Sequence, residues 1–165
     1  MEPLIGVIVG SKSDLKHVEE CTGILDGFGV PYEVVVASAH RSPDLVDRKL
    51  KELDGKVSVY IAFAGMAAAL PGVVASRTVK PVIGVPISVS LAGLDALLAI
   101  VQMPPGVPVG AMAIDGAKNA AIYAVGILAT TEAGKELKLG QKLTEMRAKR
   151  AAEMEMEADH GKLSL

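Results

Sequence analysis

The sequence predicts a three-layer α/β domain, in which a parallel, doubly wound sheet of about five strands lies between two layers of helices. Two observations predict it. Short apolar segments rich in valine and isoleucine alternate along the chain with segments whose apolar residues recur every three or four positions. The apolar segments show no polar alternation, which is typical of parallel strands buried on both faces. The length of 165 residues suits one such domain.

The predicted strands are short, and each is followed by glycine, proline or polar residues. The first strand, at 4–9, is a continuous apolar run that stops at Gly10. The other four strands are predicted at 32–37, 57–63, 81–85 and 107–114. Helical spacing between these segments completes the order βαβαβαβαβα, which indicates a parallel sheet with helices on both faces.

The predicted helices are placed by their periodicity and by the residues that begin and end them. The first helix ends before Gly29, and the second begins at Pro43, a residue that suits the first turn of a helix. A helix of small residues is predicted between Gly65 and Pro71. Two further helices are predicted at 91–103 and 117–130.

The pattern divides the chain into one domain and a terminal extension. Residues 1–132 are predicted to form the α/β domain, of the flavodoxin-like or Rossmann-like kind. Residues 133–165 mix leucine and methionine with many charges. They are predicted to form an amphipathic helix and tail that packs on the domain or on neighbouring subunits.

Composition excludes several function classes. The net charge is −2 and only 3% of residues are aromatic, which argues against a nucleic-acid surface. No run of 18 apolar residues predicts a membrane span. The single cysteine, Cys21, and the lack of an export signal indicate a cytoplasmic protein. The histidines are scattered along the chain, which predicts no metal site.

The chain is unusually rich in aliphatic residues. Half of the residues are apolar, and mean hydropathy is +0.39. That is more aliphatic material than a monomer of this size needs.

In an open parallel sheet, ligands bind beyond the carboxyl ends of the strands. The first loop there, residues 10–14, has the sequence GSKSD. Its two hydroxyls and the free amides at the helix start are suited to hold an anion. Ser11 and Asp14 also match a helix-capping box, and this purely structural alternative stays open.

The second loop contains His40 and Arg41, directly after the second predicted strand. Histidine transfers protons near neutral pH, and arginine binds phosphate or carboxylate with a planar fork. The alternative is that both side chains only bond to backbone carbonyls of the loop.

The third loop, residues 62–72, consists mostly of alanine and glycine, so that backbone can approach a ligand closely. Taken alone, that composition is explained better by tight helix packing. Taken together, the three loops predict an anionic small-molecule ligand, an acid–base histidine and no built-in cofactor.

Several blocks of sequence closely resemble the PurE family of purine biosynthesis. They are GSKSD at 10–14, SAHRSPD at 38–44, LPG at 70–72, PVIGVP at 81–86, GLDALLAIVQMP at 93–104 and PGVPV at 105–109. The resemblance covers about residues 7–130, in the family's order and near its spacing.

The resemblance implies a function and a site. One branch of the family converts N5-carboxyaminoimidazole ribonucleotide to 4-carboxy-5-aminoimidazole ribonucleotide, by loss, retention and recapture of CO2. The LPG and IVQMP blocks resemble that branch. His40 then matches the family's acid/base, with no cofactor and no metal. The implied substrate contacts are Ser11, Ser13, Asp14, Ser38, Ala39, Arg41, Ala64, Gly65 and Leu70.

The chain departs from the family's pattern in one loop. Relatives of the mutase branch usually read AGGAAHLPG where this chain reads AGMAAALPG at 64–72. Met66 therefore stands in place of a glycine, and Ala69 in place of a second histidine. Direct carboxylation of aminoimidazole ribonucleotide by CO2 stays open as an alternative, as do a non-catalytic phosphosugar-binding module and a structural assembly protein. The resemblance also implies a homo-octamer, which would hide the aliphatic surplus.

Overall fold

The computed structural model describes residues 4–160 and contains one five-stranded parallel sheet, as predicted. The strand order is β2-β1-β3-β4-β5, so that β1 and β3 are central. In the register of the sheet, Val9 at the end of β1 pairs with Val36 of β2 and Phe63 of β3. The strands are β1 (Ile5–Val9), β2 (Tyr32–Val36), β3 (Val59–Gly65), β4 (Val82–Ile87) and β5 (Gly110–Ala111).

Helices cover both faces of the sheet, which confirms the three-layer, doubly wound arrangement. They are α1 (Leu15–Phe28), α2 (Pro43–Leu53), α3 (Leu70–Ala75), α4 (Leu94–Val101), α5 (Ala117–Leu128), α6 (Glu132–Glu136) and α7 (Leu139–His160). Apolar side chains of α1, α5 and α7 form one buried core with the sheet, and those of α2, α3 and α4 form another. β1, β3 and β4 are buried along almost their whole length, which explains their lack of polar alternation.

The predicted helix between Gly65 and Pro71 is wrong. Residues 66–69 instead form a turn, in which Met66 and Ala68 have positive φ angles of 55° and 27°. The amide of Ala68 donates to the carbonyl of Gly65 at 3.1 Å. The helix begins only at Leu70, so that Pro71 occupies its first turn, where a missing amide hydrogen costs nothing.

Two other elements are shorter or more broken than predicted. β5 has two residues instead of the eight predicted, and Pro108, which lacks an amide hydrogen, precedes it. The C-terminal segment is two helices, with Lys138 between them at φ 55°. Leu139 and Leu143 of α7 are buried in the same core as β1, whereas residues 161–165 of the predicted extension lie outside the described residues.

No helix within residues 4–160 is long and apolar enough to cross a membrane.

Candidate active site

The loops that follow β1, β2, β3 and β4 surround one cleft at the carboxyl edge of the sheet. Its volume is about 460 Å³. The fold therefore brings together residues that are far apart in the sequence, and ten residues line the cleft: Ser11, Ser13, Asp14, Ser38, His40, Arg41, Gly65, Met66, Ala67 and Val89.

The loop after β1 contributes a chain of hydrogen bonds to the cleft wall. The hydroxyls of Ser11 and Ser13 lie 2.9 Å apart, and the Ser13 hydroxyl donates to Oδ1 of Asp14 at 3.1 Å. The Ser11 hydroxyl also accepts from the Ser13 amide at 3.3 Å, which caps the short 3₁₀ turn that precedes α1. The loop thus serves as a cap and also presents two hydroxyls and a carboxylate to the cleft.

Arg41 joins the loop after β2 to the loop after β1. Its Nη2 donates to the carbonyl of Gly10 at 2.8 Å, and its Nε donates to the Ser38 hydroxyl at 3.3 Å. The Arg41 amide donates to the same hydroxyl at 3.2 Å. These bonds hold the guanidinium in one orientation beside the serine hydroxyls, so that a cation is fixed at this end of the cleft.

His40 is exposed at the mouth of the cleft. Among the residues that the structure describes, no group bonds to its imidazole. The alternative to a ligand-binding role was that both side chains bond only to backbone carbonyls. Arg41 does bond to a backbone carbonyl, but His40 does not. The imidazole is therefore available to exchange a proton with a substrate, as an acid–base group needs.

The opposite wall of the cleft is apolar and comes from the loops after β3 and β4. Gly65, Met66, Ala67 and Val89 form it. Gly65 lets Val89 approach closely, because a Cβ at position 65 would lie 2.6 Å from Cγ2 of Val89 and would push that side chain aside. The cleft consequently has a polar side that can bind phosphate and hydroxyls, and an apolar side that can bind a flat or nonpolar group.

Three of the predicted contact residues lie outside the cleft lining. Ala64 and Leu70 are buried in the core between the sheet and α2–α4. Ala39 is half-buried and packs against the same core. Ala39 and Ala64 are adjacent in the sequence to residues of the lining, and Leu70 directly follows the turn at 66–69, but none of the three lines the cleft.

Other reactive groups and cavities in the described part of the chain are less suited to chemistry. Burial raises the pKa of the Cys21 thiol to about 12, so that it stays protonated and unreactive. A larger cavity of about 550 Å³ lies at the opposite edge of the sheet. Two of its charged side chains are paired, since Arg77 Nε donates to Asp47 Oδ1 at 2.9 Å, and Asp54 accepts from the hydroxyls of Tyr60 and Thr78. Between residues 4 and 160, no cluster of three His, Cys, Asp or Glu side chains could hold a metal ion.

Comparison with known proteins identifies the family. The family model described as AIR carboxylase matches residues 4–153. The chain belongs to the AIR carboxylase family. An N5-carboxyaminoimidazole ribonucleotide mutase of Methanocaldococcus jannaschii is 54% identical over 146 residues, which are 88% of this chain and 89% of the relative. A protein of the same name from Pseudomonas aeruginosa is 52% identical over 132 residues, or 78% of this chain and 81% of the relative.

A solved structure of a PurE protein has the same fold as this chain. The crystal structure of Treponema denticola PurE superimposes with a TM-score of 0.85 at 29% identity, and covers 97% of this chain and 99% of that one. The resemblance to the PurE family and the fold predicted from the sequence are thereby confirmed.

For this member of the AIR carboxylase family, Met66 and Ala67 line the cleft within the third predicted loop but were not named as contacts, and Val89 lies outside all three predicted loops. It lies two residues beyond the end of β4 and is 56% exposed. The signal was present, because β4 is parallel to β1 and β3 and must end at the same edge of the sheet. Neither a polar side chain nor a glycine marked the position.

Proposed function

We propose that this chain converts N5-carboxyaminoimidazole ribonucleotide to 4-carboxy-5-aminoimidazole ribonucleotide. The observation that carries the proposal is the meeting of His40, Arg41 and Asp14 in one cleft with an apolar opposite wall. Relatives that are more than half identical to this chain carry the name of that mutase, which supports it.

The polar side of the cleft fits the phosphoribosyl end of such a substrate. The guanidinium of Arg41 offers a fixed cation to the phosphate, with the hydroxyls of Ser11 and Ser13 beside it. Asp14 accepts hydrogen bonds from ribose hydroxyls, as it already does from Ser13. The imidazole ring and its carboxylate then extend toward Met66 and Val89 on the apolar side.

The reaction needs one proton to be given and one to be taken back. When the bond between N5 and the carboxylate carbon breaks, its electron pair stays on nitrogen, which takes a proton as CO2 leaves. C4 then attacks CO2, and the proton on C4 is lost. A single histidine that donates the first proton and accepts the second returns to its starting state after each turnover. His40, which no described group engages, is suited to both steps.

Among the described residues, the lining of the cleft contains no second histidine. Ala69 precedes α3 and cannot transfer a proton, and the ionisable residues that line the cleft are Asp14, His40 and Arg41. An arginine is always charged at neutral pH, and Asp14 already accepts a hydrogen bond from Ser13 on the polar side of the cleft, which leaves His40 as the group suited to carry the proton. We propose that the mutase cycle proceeds here with this one histidine.

An assay with the N5-carboxylated ribonucleotide and no added bicarbonate tests the function. We expect the 4-carboxylated product to form faster than in a no-enzyme control. If product forms only from aminoimidazole ribonucleotide with bicarbonate, the chain is a direct carboxylase. Tight binding of the ribonucleotide with no product from either substrate would make it a binding module. An unchanged melting temperature with the nucleotide would indicate a structural protein.

We also propose that the chain assembles as a homo-octamer in the cytoplasm. Leu94, Leu98 and Val101 lie at i, i+4 and i+7 of α4 and are each at least 50% exposed. Leu91 just before them is 74% exposed. Such an apolar stripe is unfavourable in water and is typical of subunit interfaces. The buried, unpaired Cys21 agrees with a reducing compartment.

Sedimentation measures the assembly directly. We expect a species of eight times the 17.1 kDa chain mass. A double variant, Leu94→Lys with Leu98→Lys, should sediment as smaller species, whereas Lys149→Ala on an exposed part of α7 should not change the mass. A wild-type monomer would contradict the proposal.

A further inference from the structure

Met66 combines an unfavourable backbone with an unfavourable exposure. Its φ angle of 55° lies in the left-handed region, which residues with a Cβ adopt at a cost in energy. Its side chain is also 59% exposed, so that burial does not repay this cost. Ala68, two residues on, is left-handed as well. Strained residues that persist without a packing reason are found mainly at ligand sites.

The Met66 side chain extends an apolar wall that is otherwise fixed in place. Val89 forms the rest of that wall and contacts Gly65. The neighbours of Val89 are anchored, because the Ser88 amide donates to Asp115 Oδ1 at 3.0 Å and the Ser90 hydroxyl donates to Asp95. Met66 lies in a turn and has a flexible thioether side chain. One side of the wall is therefore rigid and the other adaptable.

We propose that Met66 determines how released CO2 divides between capture at C4 and escape to solvent. This inference rests on the proposed mutase function, which places the imidazole end of the substrate against the apolar wall. CO2 carries no charge and binds water weakly, and the thioether sulfur of methionine is only a weak hydrogen-bond acceptor for water. Met66 thus keeps the space beside C4 dry, and CO2 released there stays within reach of C4.

Three substitutions separate the effect of this side chain from that of the backbone. Met66→Leu keeps an apolar side chain of similar volume, Met66→Gln keeps the length but adds a polar amide, and Met66→Gly removes the side chain. Glycine also removes the left-handed strain, so that Met66→Gly should melt at a higher temperature than the wild type. A change in CO2 retention in that variant cannot then come from unfolding.

The experiment follows the carboxylate carbon. The substrate is labelled with ¹³C in its N5-carboxylate, the buffer contains unlabelled bicarbonate, and the label in the 4-carboxylate product is measured by mass spectrometry. We expect the wild type and Met66→Leu to retain the label. Met66→Gly and Met66→Gln should lose it roughly tenfold faster relative to product formation and should release aminoimidazole ribonucleotide.

Equal label retention in all four proteins would overturn the role of Met66 while leaving the mutase function intact. Lower turnover or lower thermal stability with unchanged retention would also overturn it, because that result describes a structural residue. If the wild type forms no labelled product at all, the proposed function itself fails, and the inference fails with it. The two failures are therefore distinguished by the wild-type measurement alone.

Discussion

Replacing His40 with asparagine is expected to lower turnover by about 10²- to 10⁴-fold, the usual contribution of a general acid–base group. Asparagine keeps a polar side chain of similar length but does not transfer a proton near neutral pH. The substrate-binding side of the cleft should be unaffected, because Arg41 is held by Gly10 and Ser38 and not by His40. The measurements are kcat with the N5-carboxylated ribonucleotide and the dissociation constant of the 4-carboxylated product by calorimetry.

His17 offers a matched control for this experiment. It is a histidine on α1 outside the cleft lining, and its Nδ1 lies 3.7 Å from Asp115 Oδ1. His17→Asn should therefore change turnover little. Wild-type turnover in His40→Asn would remove the histidine from the mechanism. Equal loss in both variants would indicate that the effect comes from the fold and not from proton transfer.

Replacing Gly134 with alanine is expected to destabilise the fold by about 3 kcal/mol, near the upper end for overpacking in a closed site. A Cβ at Gly134 would lie 1.8 Å from the carbonyl oxygen of Leu128 and 2.4 Å from its carbon. These are backbone atoms at the end of α5, and Leu128 is buried in the core. They cannot move aside as a flexible side chain does.

The local hydrogen bonds make this contact tighter. The Gly134 amide donates to the Thr131 hydroxyl at 3.1 Å, and that hydroxyl donates to the Leu128 carbonyl at 2.7 Å. Relief of the clash would break both bonds and detach α6 from α5. The melting temperature should fall by roughly 6–12 °C for a chain of this length.

Gly23→Ala is the matched control for Gly134→Ala. Gly23 lies inside α1, is exposed, and has no atom within 4 Å of an added Cβ. Alanine there should stabilise the protein by about 0.5–1 kcal/mol, because glycine loses more backbone entropy on folding. Calorimetry of the two variants measures both effects. A Gly134→Ala protein that melts within a degree of the wild type would show that α6 can shift freely.

The order of strands and helices was predictable because its signals are local. The continuous apolar run of β1 and the helical spacing of α1 both reflect burial of a repeating face. The error between Gly65 and Pro71 has an equally local cause. Alanine favours helices, but here the chain must first turn from the end of β3, and the left-handed residues Met66 and Ala68 make that turn.

The candidate site was predictable where polar residues mark the ends of strands. Ser11, Asp14, His40 and Arg41 were named from the sequence, and all of them line the cleft. Val89 was missed because an isolated valine after a strand gives no chemical signal. Ala64 and Leu70 were named from the resemblance, and in the structure they lie in the core behind the lining.

By itself, the sequence determined the element order, the buried strands and the residue types available at each strand end. These depend on short-range periodicity and on the chemistry of single side chains. Only the tertiary structure decided which loops meet. The bond from Arg41 to Gly10 spans 31 residues and exists because β1 and β2 are neighbours in the sheet, and the contact of Gly65 with Val89 exists because β3 and β4 are. Strand order depends on packing of the whole chain, and no local pattern encodes it.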